Sequence, residues 1–336
     1  MPKPENSSSL LLAAEQALDA WNLCATQIEC VSISENIVFR VDTESSETYA
    51  LRLHRPGYHN LAELNAEHQW TLALNRAGIR VPIPKMTRDG RGYVRVYMPM
   101  SNETRYAGIV EWFDGVTLDS IIDQSSDKWS IALYFEQLGR MAARIHNQAV
   151  NWQIPDGFRR HELDADGLMG TTPFWGPFWD LPELSNAERK LILNTRSSIH
   201  HVLSIYGKHQ GTYSLIHADL NPRNVVLTND QLCLIDFDDA GFGWHQYELA
   251  VALFSYQDTS YFSTARDALI AGYRSKRALD DMAVELLPMY LLIRALASLG
   301  WLQARPELKK GGRKQRLIEL ACAQADDFVS QQNYLT

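Results

Sequence analysis

Apolar residues recur at helical spacing near the start of the chain, at Leu11, Leu12, Ala14, Leu18 and Trp21, and predict a short helix over 8–21 capped by Ser8 or Ser9. Strand-type runs follow at 28–33, 37–41 and 49–53, divided by polar segments, and read as an antiparallel meander. A helix is predicted over 62–75, ended near Gly78. Strands are predicted at 81–86, 93–98 and 106–112, with a turn at Asp89-Gly90. Beyond Phe113-Asp114-Gly115 the helical period takes over, and helices are predicted over 118–122, 131–146, 187–206, 262–273 and 284–304. A single strand pair, 224–227 with 232–237, interrupts them. The pattern predicts an α+β chain of two lobes with a crevice between them, an antiparallel β-rich lobe over 1–110 and a mainly helical lobe over 111–336.

Length supports that division, since 336 residues outgrow one small core. Charge narrows the function. With 32 Lys+Arg against 40 Asp+Glu the net charge is −8, so the surface repels nucleic acid and anionic membranes. Residues 286–302 are broken by Pro288 and Arg294, the N-terminus lacks a secretory apolar core, and neither predicts a membrane segment. The four cysteines have no ligand spacing for zinc. Cys30 and Cys233 lie in apolar strand-like runs and are predicted to be buried free thiols, which places the chain in a reducing compartment, the cytoplasm.

The chemistry concentrates in one stretch, Leu215-Ile216-His217-Ala218-Asp219-Leu220-Asn221-Pro222-Arg223-Asn224-Val225, followed by Leu232-Cys233-Leu234-Ile235-Asp236-Phe237-Asp238. It carries H-x-D-L-x-x-x-N and, twelve residues beyond Asn224, a D-F-x triplet at a strand end, as in the kinase signature set. Those residue types suit phosphoryl transfer. A migrating phosphoryl group needs hard oxygen ligands for Mg²⁺, which the Asn224 amide and the Asp236 carboxylate supply. Asp219 would orient and deprotonate an attacking hydroxyl, while His217 holds the loop backbone. Loop Asp and Asn residues are most often turn and cap residues, but base, amide and carboxylate in this order, each beside an apolar run, argue against that reading. Asp238 is a further metal contact or part of an exposed acidic turn.

These motifs resemble the aminoglycoside phosphotransferase and choline kinase-like superfamily, more narrowly its branch of homoserine kinase-type enzymes and stress-response serine/threonine kinases. The resemblance extends to Ser34-Glu35-Asn36, the strand ending at Pro56, Glu67-His68-Gln69, Leu138-Gly139-Arg140 and the helix from Arg294 to Trp301. It implies a protein kinase-like fold, with a nucleotide-binding N-terminal lobe and a C-terminal lobe for catalysis and acceptor. It also implies a catalytic Asp219, metal ligands Asn224 and Asp236, and the cofactors ATP and Mg²⁺. The third strand bears Arg52 where such proteins use Lys to hold phosphates, with Glu67 as its expected partner and Glu63 in reserve. No G-x-G-x-x-G precedes that strand; the turn at Ser34 takes its place. The linker is expected to hold adenine through backbone groups at Glu111 and Phe113.

Past Asp238 no A-P-E and no long activation segment follow, which favours a small hydroxylated metabolite, such as an amino acid or amino alcohol, over a protein substrate. Trp175, Trp179 and Trp244, near acidic residues, are candidates for holding an acceptor amine by cation–π attraction; large aromatics also serve as core. Glu248 is expected to support the catalytic loop. The rival readings are a stress-response serine/threonine protein kinase and a nucleotide-binding module without turnover.

Overall fold

The structure, a computed structural model, describes residues 4–34, 36–98, 101–125, 127–305 and 311–333. In chain order its elements begin with α1 (Pro4–Leu18), β1 (Ala25–Ile33), β2 (Ile37–Thr43), β3 (Thr48–Leu53), α2 (Leu61–Arg76), β4 (Pro84–Lys85), β5 (Tyr93–Met98), β6 (Glu103–Glu111) and β7 (Val116–Thr117). There follow α3 (Leu118–Gln124), α4 (Lys128–Asn151), β8 (Glu162–Leu163), α5 (Ala165–Met169), α6 (Asn186–Tyr206), β9 (Tyr213–Ile216), β10 (Val225–Thr228), β11 (Gln231–Leu234) and β12 (Gly241–Trp244). The chain closes with α7 (His245–Leu253), α8 (Phe262–Arg274), α9 (Asp281–Glu285), α10 (Leu287–Gln303) and α11 (Gly311–Asn333). Two units result: residues 1–116 with 153–159 and 226–235, and residues 117–152 with 160–225 and 236–336.

The first unit is built on an antiparallel sheet in the order β1-β2-β3-β6-β4, with β5 also paired to β6. Alternation decides its core. In β2, Ile37, Phe39, Val41 and Thr43 are buried while Val38, Arg40 and Asp42 are less so. The buried side packs with Leu51, Leu53 and Ile109 and with Ala13, Ala14, Ala17, Leu18 and Trp21 from α1 and the turn after it. Each large apolar side chain removed from water in this way contributes about 1.5–3 kcal/mol. The two-residue period of β3 turns Arg52, half-buried between the buried Leu51 and Leu53, to the opposite face from them. Helix α2 is started by a capping box in which Asn60 accepts from the Glu63 N–H and Glu63 from the Asn60 N–H. The strand predicted over 81–86 shrinks to two residues, because Pro82 and Pro84 remove two ladder donors. Cys30 is exposed, contrary to expectation, because β1 is the edge strand and its register breaks at Cys30–Ser32; Cys233 is buried.

The second unit is mainly helical. Helices α4 and α8 approach closely at two glycines: a Cβ on Gly139 would lie 2.0 Å from the Leu269 carbonyl oxygen, and one on Gly272 would lie 2.0 Å from that of Glu136. The segment Asp281–Gln303 is apolar and long enough to cross a membrane, contrary to the sequence expectation. Its side chains Tyr290, Leu292, Ile293, Leu296 and Leu299 are instead buried inside the unit. A small sheet, β8-β12-β9, escaped the sequence pattern, with β12 antiparallel to β9 and parallel to β8. Glycines fill two of the four positions of β12, and a Cβ on Gly243 would meet Ile216 at 2.6 Å, so close packing demands the residue that hides the strand from view.

Candidate active site

The loop after β9 is latched from below by a carboxylate. Glu248, on α7 and fully buried, accepts from the His217 N–H through Oε1 and from the Ala218 N–H through Oε2, each at 2.8 Å. Burial pushes the Glu248 carboxyl upward, while His217 and the two N–H groups pull the other way by favouring the charged form. The latch serves a strained backbone, since Ala218 stands at φ +63° in the left-handed region that costs a residue with a Cβ about 1–2 kcal/mol. His217 continues the support, its Nδ1 accepting from the Asp219 N–H at 3.2 Å.

Asp219 is thereby fixed in backbone and side chain. Its carbonyl accepts from the Asn221 N–H at 2.7 Å and from Asn224 Nδ2 at 2.9 Å, and its Oδ2 accepts from the same Nδ2 at 2.7 Å. Asn221 caps the short turn that follows, accepting from the Arg223 N–H at 3.0 Å, and Pro222 stiffens it. Both bonds from the Asn224 amide nitrogen run to Asp219. Its amide oxygen therefore faces elsewhere, as a hard-cation ligand requires.

Asp236 follows β11 at φ +65° and is exposed. The next side chain, Phe237, is buried with its ring edge-on to His217 at 4.6 Å between centroids, which ties the Asp236 turn to the loop of Asp219. Arg160, 9% exposed, holds the turn from behind by donating to the carbonyls of Phe237 at 3.0 Å, Asp238 at 2.5 Å and Ala240. Asp238 is 8% exposed, which removes the reading of it as part of a solvated acidic turn. Asn224 with an outward amide oxygen and Asp236 with an exposed carboxylate together offer the oxygen donors Mg²⁺ prefers, so the residues present fit that ion.

One participant was missed by the sequence reading. Arg294, on α10, donates from Nη2 to Asp219 Oδ1 at 2.6 Å. Its guanidinium also lies 6.0 Å from the Trp175 ring centroid and 3.5 Å from the Tyr247 hydroxyl. Burial pushes the Tyr247 phenol up to about 12, so it stays protonated. The three tryptophans proposed for an acceptor amine part company. Trp175 carries Arg294, and its indole N–H points to Asp239 Oδ1 at 3.4 Å. Trp179 carries Arg196 at 4.6 Å. Trp244 is buried to 1% exposure, with its N–H on the Gly207 carbonyl at 2.9 Å, and belongs to the core.

The residues expected to hold nucleotide lie in the first unit. Arg52 Nη1 sits 3.2 Å from Glu67 Oε1, and Glu67 is 5% exposed, while Glu63 is used in the capping box. The Ser34 N–H donates to the Asn36 carbonyl at 3.1 Å, and the Asn36 side chain accepts from the Arg55 N–H at 3.0 Å. Glu35, between them, lies outside the described residues. In the linker the Glu111 N–H is spent on the Ile83 carbonyl and the Trp112 N–H on the Thr48 carbonyl, which leaves Phe113 as the next backbone donor along the chain. The Arg80 guanidinium lies 5.3 Å from the Phe113 ring centroid.

A helical unit that latches an H-x-D loop to a D-F-D turn, in a chain whose sheet unit carries a paired third-strand cation, defines a kinase-like phosphotransferase. The chain belongs to the phosphotransferase enzyme family, whose model matches residues 30–284. It is similar to the solved structure of a microcompartment-associated aminopropanol kinase, with a TM-score of 0.81 and 29% identity over 96% of this chain and 98% of that one. It is 22% identical to amicoumacin kinase of Bacillus subtilis (strain 168) over 90% of this chain and 87% of that protein. It is 29% identical to homoserine kinase of Sinorhizobium medicae (strain WSM419) over 64% of this chain and 60% of that protein. The chain is therefore a kinase.

Proposed function

We propose that the protein transfers the γ-phosphoryl group of ATP, with Mg²⁺, to a hydroxyl of a small metabolite of the homoserine or amino-alcohol kind. The observation that carries this reading is the Asp219 carboxylate, clamped by Asn224 on one oxygen and Arg294 on the other. A carboxylate so held keeps lone pairs for one more donor, the acceptor hydroxyl. As the acceptor oxygen bonds to phosphorus, the bond to the β-phosphate bridging oxygen breaks, ADP leaves, and the hydroxyl proton passes to Asp219. Bound Mg²⁺, held by Asn224 and Asp236, would neutralise charge on the phosphates. Arg52, kept in place by Glu67, is assigned to the α- and β-phosphates, the Ser34 turn to phosphate oxygens, and the Glu111 carbonyl with the Phe113 N–H to adenine.

A small acceptor is favoured over a polypeptide by the segment beyond Asp238. Within three residues it enters β12, and α7 begins at His245, both largely buried, so no free loop stands where protein kinases seat a peptide. The kinases of similar sequence act on aminopropanol, homoserine and amicoumacin, as their names state. The test is ADP release with ATP, Mg²⁺ and single acceptors: homoserine, threonine, hydroxylysine, choline, ethanolamine and sugars. Acceptor-dependent ADP with a phosphorylated product is expected. Label from ATP appearing on added polypeptide alone would overturn the reading in favour of a protein kinase.

A further inference from the structure

A lone cation inside an apolar helix requires a reason. Between Leu287 and Gln303 the only charged side chain of α10 is Arg294, set among the buried residues Leu291, Leu292, Ile293, Ala295 and Leu296. The Arg294 side chain is 18% exposed, and a guanidinium drawn that far out of water is disfavoured unless it is paired and hydrogen-bonded. Its Nη2 meets Asp219 at 2.6 Å, its Nη1 faces the Tyr247 hydroxyl at 3.5 Å, the face of Trp175 lies 6.0 Å away, and Nε has no partner among the described residues. Asn224 holds the other oxygen of the same carboxylate at 2.7 Å. The guanidinium is therefore built onto the reacting group from a helix far along the chain, at a stability cost that packing alone would avoid.

Resting on the phosphotransferase reading above, we infer that Arg294 is a positioning residue for phosphoryl transfer, the planar fork that sets the orientation of the Asp219 carboxylate toward the acceptor hydroxyl. Two fixed hydrogen bonds from opposite sides leave a carboxylate no freedom to rotate about its Cβ–Cγ bond. Misplacement of a reacting group by about 1 Å costs on the order of 10²-fold in rate. Trp175 and Tyr247 complete the device by confining the guanidinium from the sides. The Trp175 indole is thereby used on a cation of this chain rather than on an acceptor amine.

The experiment compares Arg294→Lys and Arg294→Ala with the unaltered protein, using the best acceptor from the screen. Arg294→Lys keeps the charge but loses the fork. It is expected to lower kcat about 10²-fold while the KM for ATP stays within about twofold. Arg294→Ala is expected to fall at least as far and to regain tenfold or more with millimolar methylguanidinium, but not with methylammonium at equal concentration. A merely structural role would not respond to a planar cation in solution. Arg294→Lys with kcat within threefold of the unaltered protein would overturn the inference, and so would equal response of Arg294→Ala to both cations. Should Arg294→Ala fail to fold, the Arg294→Lys result decides alone. If the unaltered protein itself transfers phosphate to no small acceptor, the phosphotransferase reading fails first, a result distinct from any of these.

Discussion

Asp219→Asn is expected to reduce kcat about 10³-fold, the middle of the range for a general base, and to leave the KM for ATP nearly unchanged. Asparagine is the informative substitution. Alanine would strand the Arg294 guanidinium without its counter-ion in a pair exposed to only 18% and 23%, which lowers stability as well as activity, so lost activity would be confused with lost fold. The amide keeps an oxygen for Arg294 and gives up the second acceptor used by Asn224, a loss of about 1 kcal/mol. Steady-state kinetics with a thermal melt on the same sample separate the two effects. Full turnover in this variant would remove Asp219 from the chemistry.

Asp236→Asn isolates charge from conformation at the other pole of the site. Asp236 occupies the left-handed region at φ +65°, which asparagine tolerates as well as aspartate and alanine enters only at a cost of about 1–2 kcal/mol. The backbone should stay, as should the Phe237 ring against His217. What disappears is one negative charge on a cation ligand, and the expected loss is about 10²-fold at low millimolar Mg²⁺, recovered in part as Mg²⁺ is raised. Titrating Mg²⁺ in both proteins checks this. The same half-saturation in each would mean that Asp236 does not hold the ion.

Much of this site could be read in the sequence because its spacing is short. His217, Asp219, Asn224 and Asp236 fall within twenty residues, and the apolar runs beside them mark the strands that end at the loop and turn. Glu248 was also legible as a support, because it falls where the proteins this chain resembles often carry Asp. Arg294 was not, although a signal was present. It was noted as a charge that breaks an apolar segment, when a single cation in a helix otherwise fit for burial also implies a buried anion elsewhere. No periodicity names that anion, because the pairing spans 75 positions. Arg160 gave no signal, as its three carbonyl acceptors are backbone groups of a distant turn. The tryptophans misled because composition cannot tell which cation an aromatic face carries; Arg294 and Arg196 already occupy two of them.

The fold followed the same rule. Strict alternation in β2 and the long helices α4, α6 and α8 are strong periodic signals; the predicted and observed spans of α6 and α8 nearly coincide, while α4 extends three residues earlier and five later than predicted. Short strands such as β8 and β12 have too few residues to show a period, and α7 lies hidden because all nine of its residues are buried, so no polar face marks it.

The proposed seat of the divalent ion, between Asn224 and Asp236 and next to the acceptor-orienting Asp219, can be seen in a crystal. The measurement is anomalous diffraction from crystals grown with Mn²⁺ and AMP-PNP. A manganese peak is expected about 2.0–2.3 Å from both Asn224 Oδ1 and an Asp236 carboxylate oxygen, with Asp219 outside the coordination shell and still bonded to Arg294. A peak on other residues, or an Asn224 amide turned so that its nitrogen faces the ion, would contradict it.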